Sequence, residues 1–177
     1  MSPEIMTTSG DYFNFLQPDE NSFTIEDIAH ALSHVCRFGG HCSEFYSVAQ
    51  HSVLVSYLVK PEYALLGLLH DAQEAFLGDI PSPLKQILPE YKRLEAIAER
   101  TILHKFGLSY TTKSKDNVKQ ADVIALATEK RDLLPANTDS DAWSWINDVP
   151  THPLPIHPIN SRLSRIRFLQ RFYELTE

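Results

Sequence analysis

The sequence predicts an all-α fold, and three observations carry that expectation. Apolar residues recur at helical spacing, while strand-type alternation is scarce. Capping residues or prolines stand where the periodic stretches begin, and glycines stand where several of them end. The segments between the stretches are mostly short, so consecutive helices must pack as neighbours around a shared core.

Thr24-Ile-Glu-Asp27 has the form of a capping box and opens a helix to about His34. Arg37-Phe-Gly-Gly-His41 is a loop, because paired glycines end helices. Ser47 caps the next helix, Val48 to Val59, and Pro61 suits the first turn of another. That helix, about Glu62 to Phe76, is apolar almost all round and should run through the core until Gly78 stops it. Asp79-Ile-Pro-Ser-Pro83 is a rigid turn, and Pro83 starts a short helix ending near Leu88. A longer helix follows from Pro89 to Phe106, and Ser114 caps one reaching about Leu134. Residues 135–158 are rich in Pro, Asp, Asn and Trp, and read as an ordered excursion packed by Trp143, Trp145 and Ile146. A last helix, about Asn160 to Leu175, carries Leu163, Ile166, Leu169 and Phe172 on one stripe.

With 177 residues and no long linker or repeat, the chain reads as one domain, 1–177. Net charge is -7, which disfavours binding of a nucleic-acid polymer but leaves room for a small anion held by a few cations in a cleft. No apolar run approaches the roughly 20 residues a membrane span needs, and the first ten residues do not resemble a signal peptide. The two cysteines, Cys36 and Cys42, match no common zinc spacing. They suit free thiols in a cytoplasmic protein.

Four polar residues stand inside apolar helical stretches: His51, the adjacent pair His70 and Asp71, and Asp122. A buried His or Asp without a partner costs several kcal/mol or titrates to its neutral form. One divalent transition metal would satisfy all four, and two nitrogens with two carboxylates suit Mn, Co, Zn, Ni or Fe. Glu74 lies four residues after His70 and three after Asp71, on the same helix face. It is placed to move a proton for a water at that metal. Asp79, after the glycine turn, could orient the water or hold a substrate hydroxyl. Arg37 offers a rigid fork matching phosphate oxygens, and Lys85 is a second phosphate candidate. His41 could reach a phosphate or a water. His30 and His34 have the spacing of a helical metal pair, but no nearby acid completes that site.

These words resemble those of a known family. His51, then Leu68-Leu-His-Asp71-Ala-Gln-Glu74-Ala-Phe-Leu-Gly-Asp79-Ile-Pro-Ser-Pro-Leu-Lys85, then Ala121-Asp122, look like the HD-domain metal-dependent phosphohydrolases. The likeness is nearest to the branch of bacterial 5′-deoxynucleotidases and phage dATP triphosphohydrolases, and spans about residues 25–134. It implies a compact helical bundle with His51, His70, Asp71 and Asp122 as ligands of one metal. It also implies Glu74 as the catalytic carboxylate, and Asp79 serving the water or the sugar. In that branch an Arg followed by an aromatic precedes the first ligand His and contacts phosphate and sugar or base. Arg37 and Phe38 occupy that place, with Phe38 where relatives carry Trp. The expected reaction cleaves the 5′-phosphate ester of a (deoxy)nucleotide, releasing phosphate or, from a triphosphate, tripolyphosphate. The resemblance also implies a homo-oligomer, dimer or higher.

Three other readings stand beside this one. An HD-type di-iron oxygenase needs extra histidines between Asp71 and Asp122, where only His104 occurs. An alarmone pyrophosphohydrolase would use the same site. A metal-free binding module would not need all four ligand candidates and Glu74.

Overall fold

The computed structural model describes residues 2–136 and 141–177, and it is mostly helical, as expected. Among those residues, two strands come first, β1 (Glu4–Met6) and β2 (Tyr12–Asn14). Eight α-helices follow: α1 (Ile25–His34), α2 (Val48–Leu58), α3 (Ala64–Leu69), α4 (Glu74–Leu77), α5 (Ser82–Gln86), α6 (Pro89–Lys105), α7 (Thr112–Leu133) and α8 (Ser161–Thr176). The antiparallel pairing sets Ile5 opposite Phe13. Strands of three residues are too short to show an alternating pattern, so the hairpin was not expected. It matters because Phe13 is fully buried and stacks on Phe76 of α4, with ring centroids 3.9 Å apart. The hairpin thereby packs against the short helix that carries Glu74.

Several helix starts obey the local chemistry. Thr24 Oγ1 accepts from Asp27 N at 3.1 Å, and Asp27 Oδ2 accepts from Thr24 N at 2.8 Å, completing the capping box of α1. Ser47 caps α2 through Gln50 N. The cap of α7 is Thr111 and not Ser114. Thr111 Oγ1 accepts from Ser114 N, and Ser114 Oγ accepts from Thr111 N. Ser114 is the far partner of a capping box, three residues inside the position expected for it.

The helix expected over 62–76 is interrupted. A 3₁₀ turn at Pro61–Tyr63 leads into α3, and the chain tightens between α3 and α4. Ala72 N bonds Leu69 O, Glu74 N bonds Asp71 O, and Ala75 N bonds Ala72 O, all three residues back. A stretch of 3₁₀ inside a helical run often marks a functional or strained position. Here it holds His70 and Asp71.

The core joins α1, α2, α3 and α8, with α7 packed on α2 and α3. Gly67 allows α3 to lie close to α2. A Cβ there would stand 3.0 Å from Val59 Cγ2 and 3.3 Å from Ser56 Cα. On α8 the buried residues are Ser164, Phe168 and Phe172. Of the expected stripe, Phe172 is buried and Leu169 packs against the core, while Leu163 and Ile166 are exposed. In the excursion, Ile146 is buried but Trp145 faces solvent, while Trp143 lies half-buried under Lys130 Nζ. Part of that expected excursion, residues 137–140, lies outside the described residues. Its later part is tied down. Arg131 donates to His152 O and Thr151 Oγ1, and Gln50 binds the backbone at His157 and Ile159. Among the described residues, no helix is long and apolar enough to cross a membrane.

Candidate metal centre

His51 lies on α2, His70 and Asp71 in the tight turn after α3, and Asp122 on α7. The fold brings these four together. His51 Nε2 and His70 Nε2 are 3.3 Å apart. Asp71 Oδ2 lies 3.5 Å from the first and 3.2 Å from the second, and Asp122 Oδ1 lies 3.4 Å and 3.9 Å from them. A four-coordinate ion with bonds of about 2.1 Å separates its ligand atoms by about 3.4 Å, so these spacings match the edges of a filled coordination shell.

The other ring nitrogens are committed elsewhere, which turns both Nε2 atoms toward the centre. His70 Nδ1 donates to Gly67 O at 2.8 Å. His51 Nδ1 donates to Glu129 Oε1 at 2.5 Å. With both Nδ1 atoms protonated, two neutral rings would point acceptors at each other across 3.3 Å. A cation between them removes that conflict, which is the fit the donor set requires.

The charge balance points the same way. Asp71, Glu74, Asp79, Asp122 and Glu129 gather around the guanidinium of Arg37 and the ammonium of Lys85, with the exposed Lys119 at Asp122 Oδ2. Burial and Arg37 pull the His51 imidazole down, but Glu129 and Asp122 outweigh them and hold it at about 10. Burial opposes ionisation of Asp122, yet its bond to His51, with His70 and Lys119 nearby, keeps its carboxyl well below the usual range. This excess of negative potential attracts a proton or a metal ion alike.

Glu74 is 2% exposed, and Lys85 Nζ donates to its Oε1 at 3.1 Å. Its Oε2 is buried with no hydrogen-bond partner. Burial, then Asp71 and Asp79, push its carboxyl well above the usual range, against Lys85 and Arg37. Its location beside Asp71 thus agrees with the sequence expectation. Asp79 follows Gly78, whose φ of +78° ends α4, and its Oδ2 lies 3.9 Å from Arg37 Nη1.

Arg37 is drawn inward because its loop is closed at the base. Arg37 N bonds Tyr46 O, and Val48 N bonds Val35 O. Its Nη1 lies 3.8 Å from Asp71 Oδ2, its Nη2 donates to Glu129 Oε2 at 2.9 Å, and its Nε is buried without a partner. Phe38 lies under it, 5.2 Å from the guanidinium carbon to the ring centroid. Phe38 has φ +56°, a left-handed backbone that a bulky residue adopts only under constraint.

The two further expected substrate contacts, Lys85 and His41, differ in their surroundings. Lys85 is held between Glu74 and Glu95, 2.6 Å from Glu95 Oε1, so its ammonium serves the carboxylates. His41 is exposed, and its ring makes no hydrogen bond among the described residues. His104 is turned outward to Glu20, and His30 and His34 stack on one another, with His34 Nδ1 bonded to His30 O. Cys36 and Cys42 are free thiols.

Glu129 was not anticipated. It is 0% exposed and lies seven residues after Asp122 on α7. The charged neighbours Lys130, Arg131 and Asp132 make it look like part of a solvated run. The signal was its spacing, since Ala121, Ala125 and Glu129 share one buried face at helical intervals.

A helical bundle that gathers two histidines, two aspartates and a buried glutamate around one point belongs to the class of HD-type metal-dependent hydrolases. Residues 19–136 match the 5′-deoxynucleotidase YfbR-like family, and the chain belongs to it. It is 43% identical to the protein YfdR of Escherichia coli (strain K12) over 174 residues, covering 98% of this chain and 96% of that one. It is 33% identical to a 5′-deoxynucleotidase of Vibrio parahaemolyticus and 29% identical to the 5′-deoxynucleotidase YfbR of Escherichia coli O1:K1 / APEC. Those two matches cover 59% of this chain and 56% and 54% of the relatives.

Proposed function

We propose that this protein hydrolyses the 5′-phosphate ester of a nucleoside monophosphate, with a deoxynucleotide as the preferred substrate. The approach of His51 Nε2 and His70 Nε2 beside Asp71 and Asp122 carries the reading. His51, His70, Asp71 and Asp122 would hold one divalent transition metal. Such an ion supplies Lewis-acid activation of a water and of a phosphate oxygen. Glu74, with one oxygen on Lys85 and the other unpartnered, takes a proton from the attacking water and returns it to the leaving 5′-oxygen. Arg37 keeps Nη2 on Glu129 and turns Nη1, which stands 3.8 Å from Asp71 and 3.9 Å from Asp79, to the phosphate, offsetting its charge as the bond to the sugar breaks. Asp79 holds the water or a sugar hydroxyl, and Phe38 gives the sugar or base a surface to lie on.

Cation supply favours a monophosphate. Arg37 and Lys85 are already shared among carboxylates, and Arg93 pairs outward with Glu90. A triphosphate tail would need further cations, and Lys119 is the remaining one in contact with a ligand candidate among the described residues. The outward His104 weighs against a di-iron oxygenase.

The test is a screen of ribo- and deoxynucleoside mono- and triphosphates with Mn, Co, Zn and Mg in turn. Products are resolved by chromatography, with Glu74→Ala as control. Nucleoside plus phosphate from monophosphates, lost in the control, is the expected result. Tripolyphosphate would move the substrate to a triphosphate, and no turnover with any metal would sink the hydrolase reading.

A further inference from the structure

The geometry points to Glu129 as a positioning residue that sets both the metal-facing nitrogen of His51 and the phosphate-facing fork of Arg37 through its two oxygens. The inference rests on the metal-centre reading above and adds a residue that the ligand pattern does not contain. Oε1 accepts from His51 Nδ1 at 2.5 Å, and Oε2 accepts from Arg37 Nη2 at 2.9 Å. Glu129 is fully buried, so solvent does not compete for either bond. Both partners approach with N–H donors. A carboxylate is the side chain that accepts on both atoms, whereas an amide must turn an NH₂ toward one of two donors.

Two consequences follow for the centre. A proton kept on Nδ1 leaves the His51 Nε2 lone pair facing His70, Asp71 and Asp122. Carboxylates behind a ligand histidine fix its tautomer and orientation, and losing one weakens metal binding by about 10- to 100-fold. The second bond restrains Arg37, whose Nε has no partner and whose Nη1 stands nearly 4 Å from its other carboxylates. Without Oε2 the fork has no close anchor. The carboxylate therefore links a metal ligand on α2 to the cation on the loop before it, from two turns along the helix that carries Asp122.

Glu129→Gln and Glu129→Asp are the variants, each checked for fold by circular dichroism. The first readout is the affinity of the unliganded protein for manganese or cobalt, measured by titration without substrate. The second is binding of inorganic phosphate to the metal-saturated protein. The expected result is metal affinity about 10- to 100-fold weaker in Glu129→Gln. Phosphate binding should weaken as well, and Glu129→Asp should fall between. Metal affinity within threefold of wild type, or unchanged phosphate affinity, overturns the dual role. A wild-type protein that binds neither metal overturns the metal centre itself, which is a distinguishable failure. If the Gln variant does not fold, ¹⁵N NMR of the zinc-loaded wild type decides. A far-downfield, slowly exchanging Nδ1 proton on His51 supports the assignment, and its absence overturns it.

Discussion

Asp27 and the acids around His51 are both inside the protein, yet they are solved in opposite ways. Asp27 accepts from Thr8 Oγ1, Ser9 N, Ser9 Oγ, Thr24 N and Thr24 Oγ1, at distances between 2.7 and 3.0 Å. Five neutral donors close around one carboxylate and tie the hairpin to α1. At the candidate centre, six carboxylates, Glu95 included, share Arg37, Lys85 and Lys119, Glu74 keeps an unpartnered oxygen, and two histidine Nε2 atoms stand 3.3 Å apart. A structural acid is satisfied by its own chain. A site is left short of positive charge, so that the remainder arrives with ion and substrate.

The sharpest way to break that contrast is Glu74→Gln. If Glu74 moves the proton, turnover should fall by about 10²- to 10⁴-fold in phosphate-release kinetics. The same variant should not lose stability when measured in chelator. The folded-state carboxyl lies above its ordinary value, so its ionised form opposes folding at neutral pH, and the neutral amide lifts that penalty. A large drop in Tm would show that Glu74 serves structure and erase the distinction from Asp27.

Removing the metal tests the charge deficit directly. An ion present at about 100 times its Kd stabilises by roughly 2.7 kcal/mol, which for a chain of this size is a Tm shift of about 5–10 °C. Thermal melts with and without EDTA, followed by manganese or cobalt add-back, should show that shift and its recovery. Equal melting in both conditions would mean that the carboxylates are balanced without a cation.

The converse substitution, Asp27→Asn, should cost about 2 kcal/mol in denaturant unfolding and leave metal affinity unaltered. Burial raises the Asp27 carboxyl, but the donors from Thr8 and Thr24 outweigh it and bring it to about 2, below its ordinary 3.8. A lowered folded-state value contributes stability that is present above about pH 4 and lost as pH falls toward 2. The difference between wild type and variant should therefore shrink across that window. A gap that persists to pH 2 would mean the carboxylate acts through shape and not charge.

How much of this was legible depended on whether the signal was local. The capping box at Thr24, the cap at Ser47 and the stop at Gly78 involve neighbours in sequence, and they appear where expected. The four ligand candidates were legible because polar residues in apolar helical stretches demand a partner, and the fold brings them together. Glu129 was hidden because its burial comes from α2 and the Arg37 loop, far away in the chain. The second partner of Lys85 was hidden for a related reason. That partner, Glu95, belongs to the next helix, and sequence alone does not show that α5 and α6 turn the two together. The break between α3 and α4 was invisible because neither Pro nor Gly stands between Leu68 and Leu77, while the hydrogen bonds shorten by one residue.

The smallest expected effect concerns α8, where Leu169 and Phe172 of the expected stripe face the core and the outward position of its other half has a measurable meaning. Leu163 and Ile166 were expected to face the core, but they are 37% and 41% exposed, and Phe168 at 0% takes the inward position with Ser164 and Phe172. Both stripes are compatible with a 3.6-residue period. The choice between them is made by α1, α2 and α3, which accept aromatic rings beside the small side chain of Ser164. If the outward pair is solvated, Leu163→Ser and Ile166→Ser should each change unfolding free energy by no more than about 0.5 kcal/mol, at any protein concentration. A penalty of 1 kcal/mol or more that grows with concentration would instead mean that a second copy covers these side chains. Dilution series in analytical ultracentrifugation, run beside the melts, separates the two outcomes.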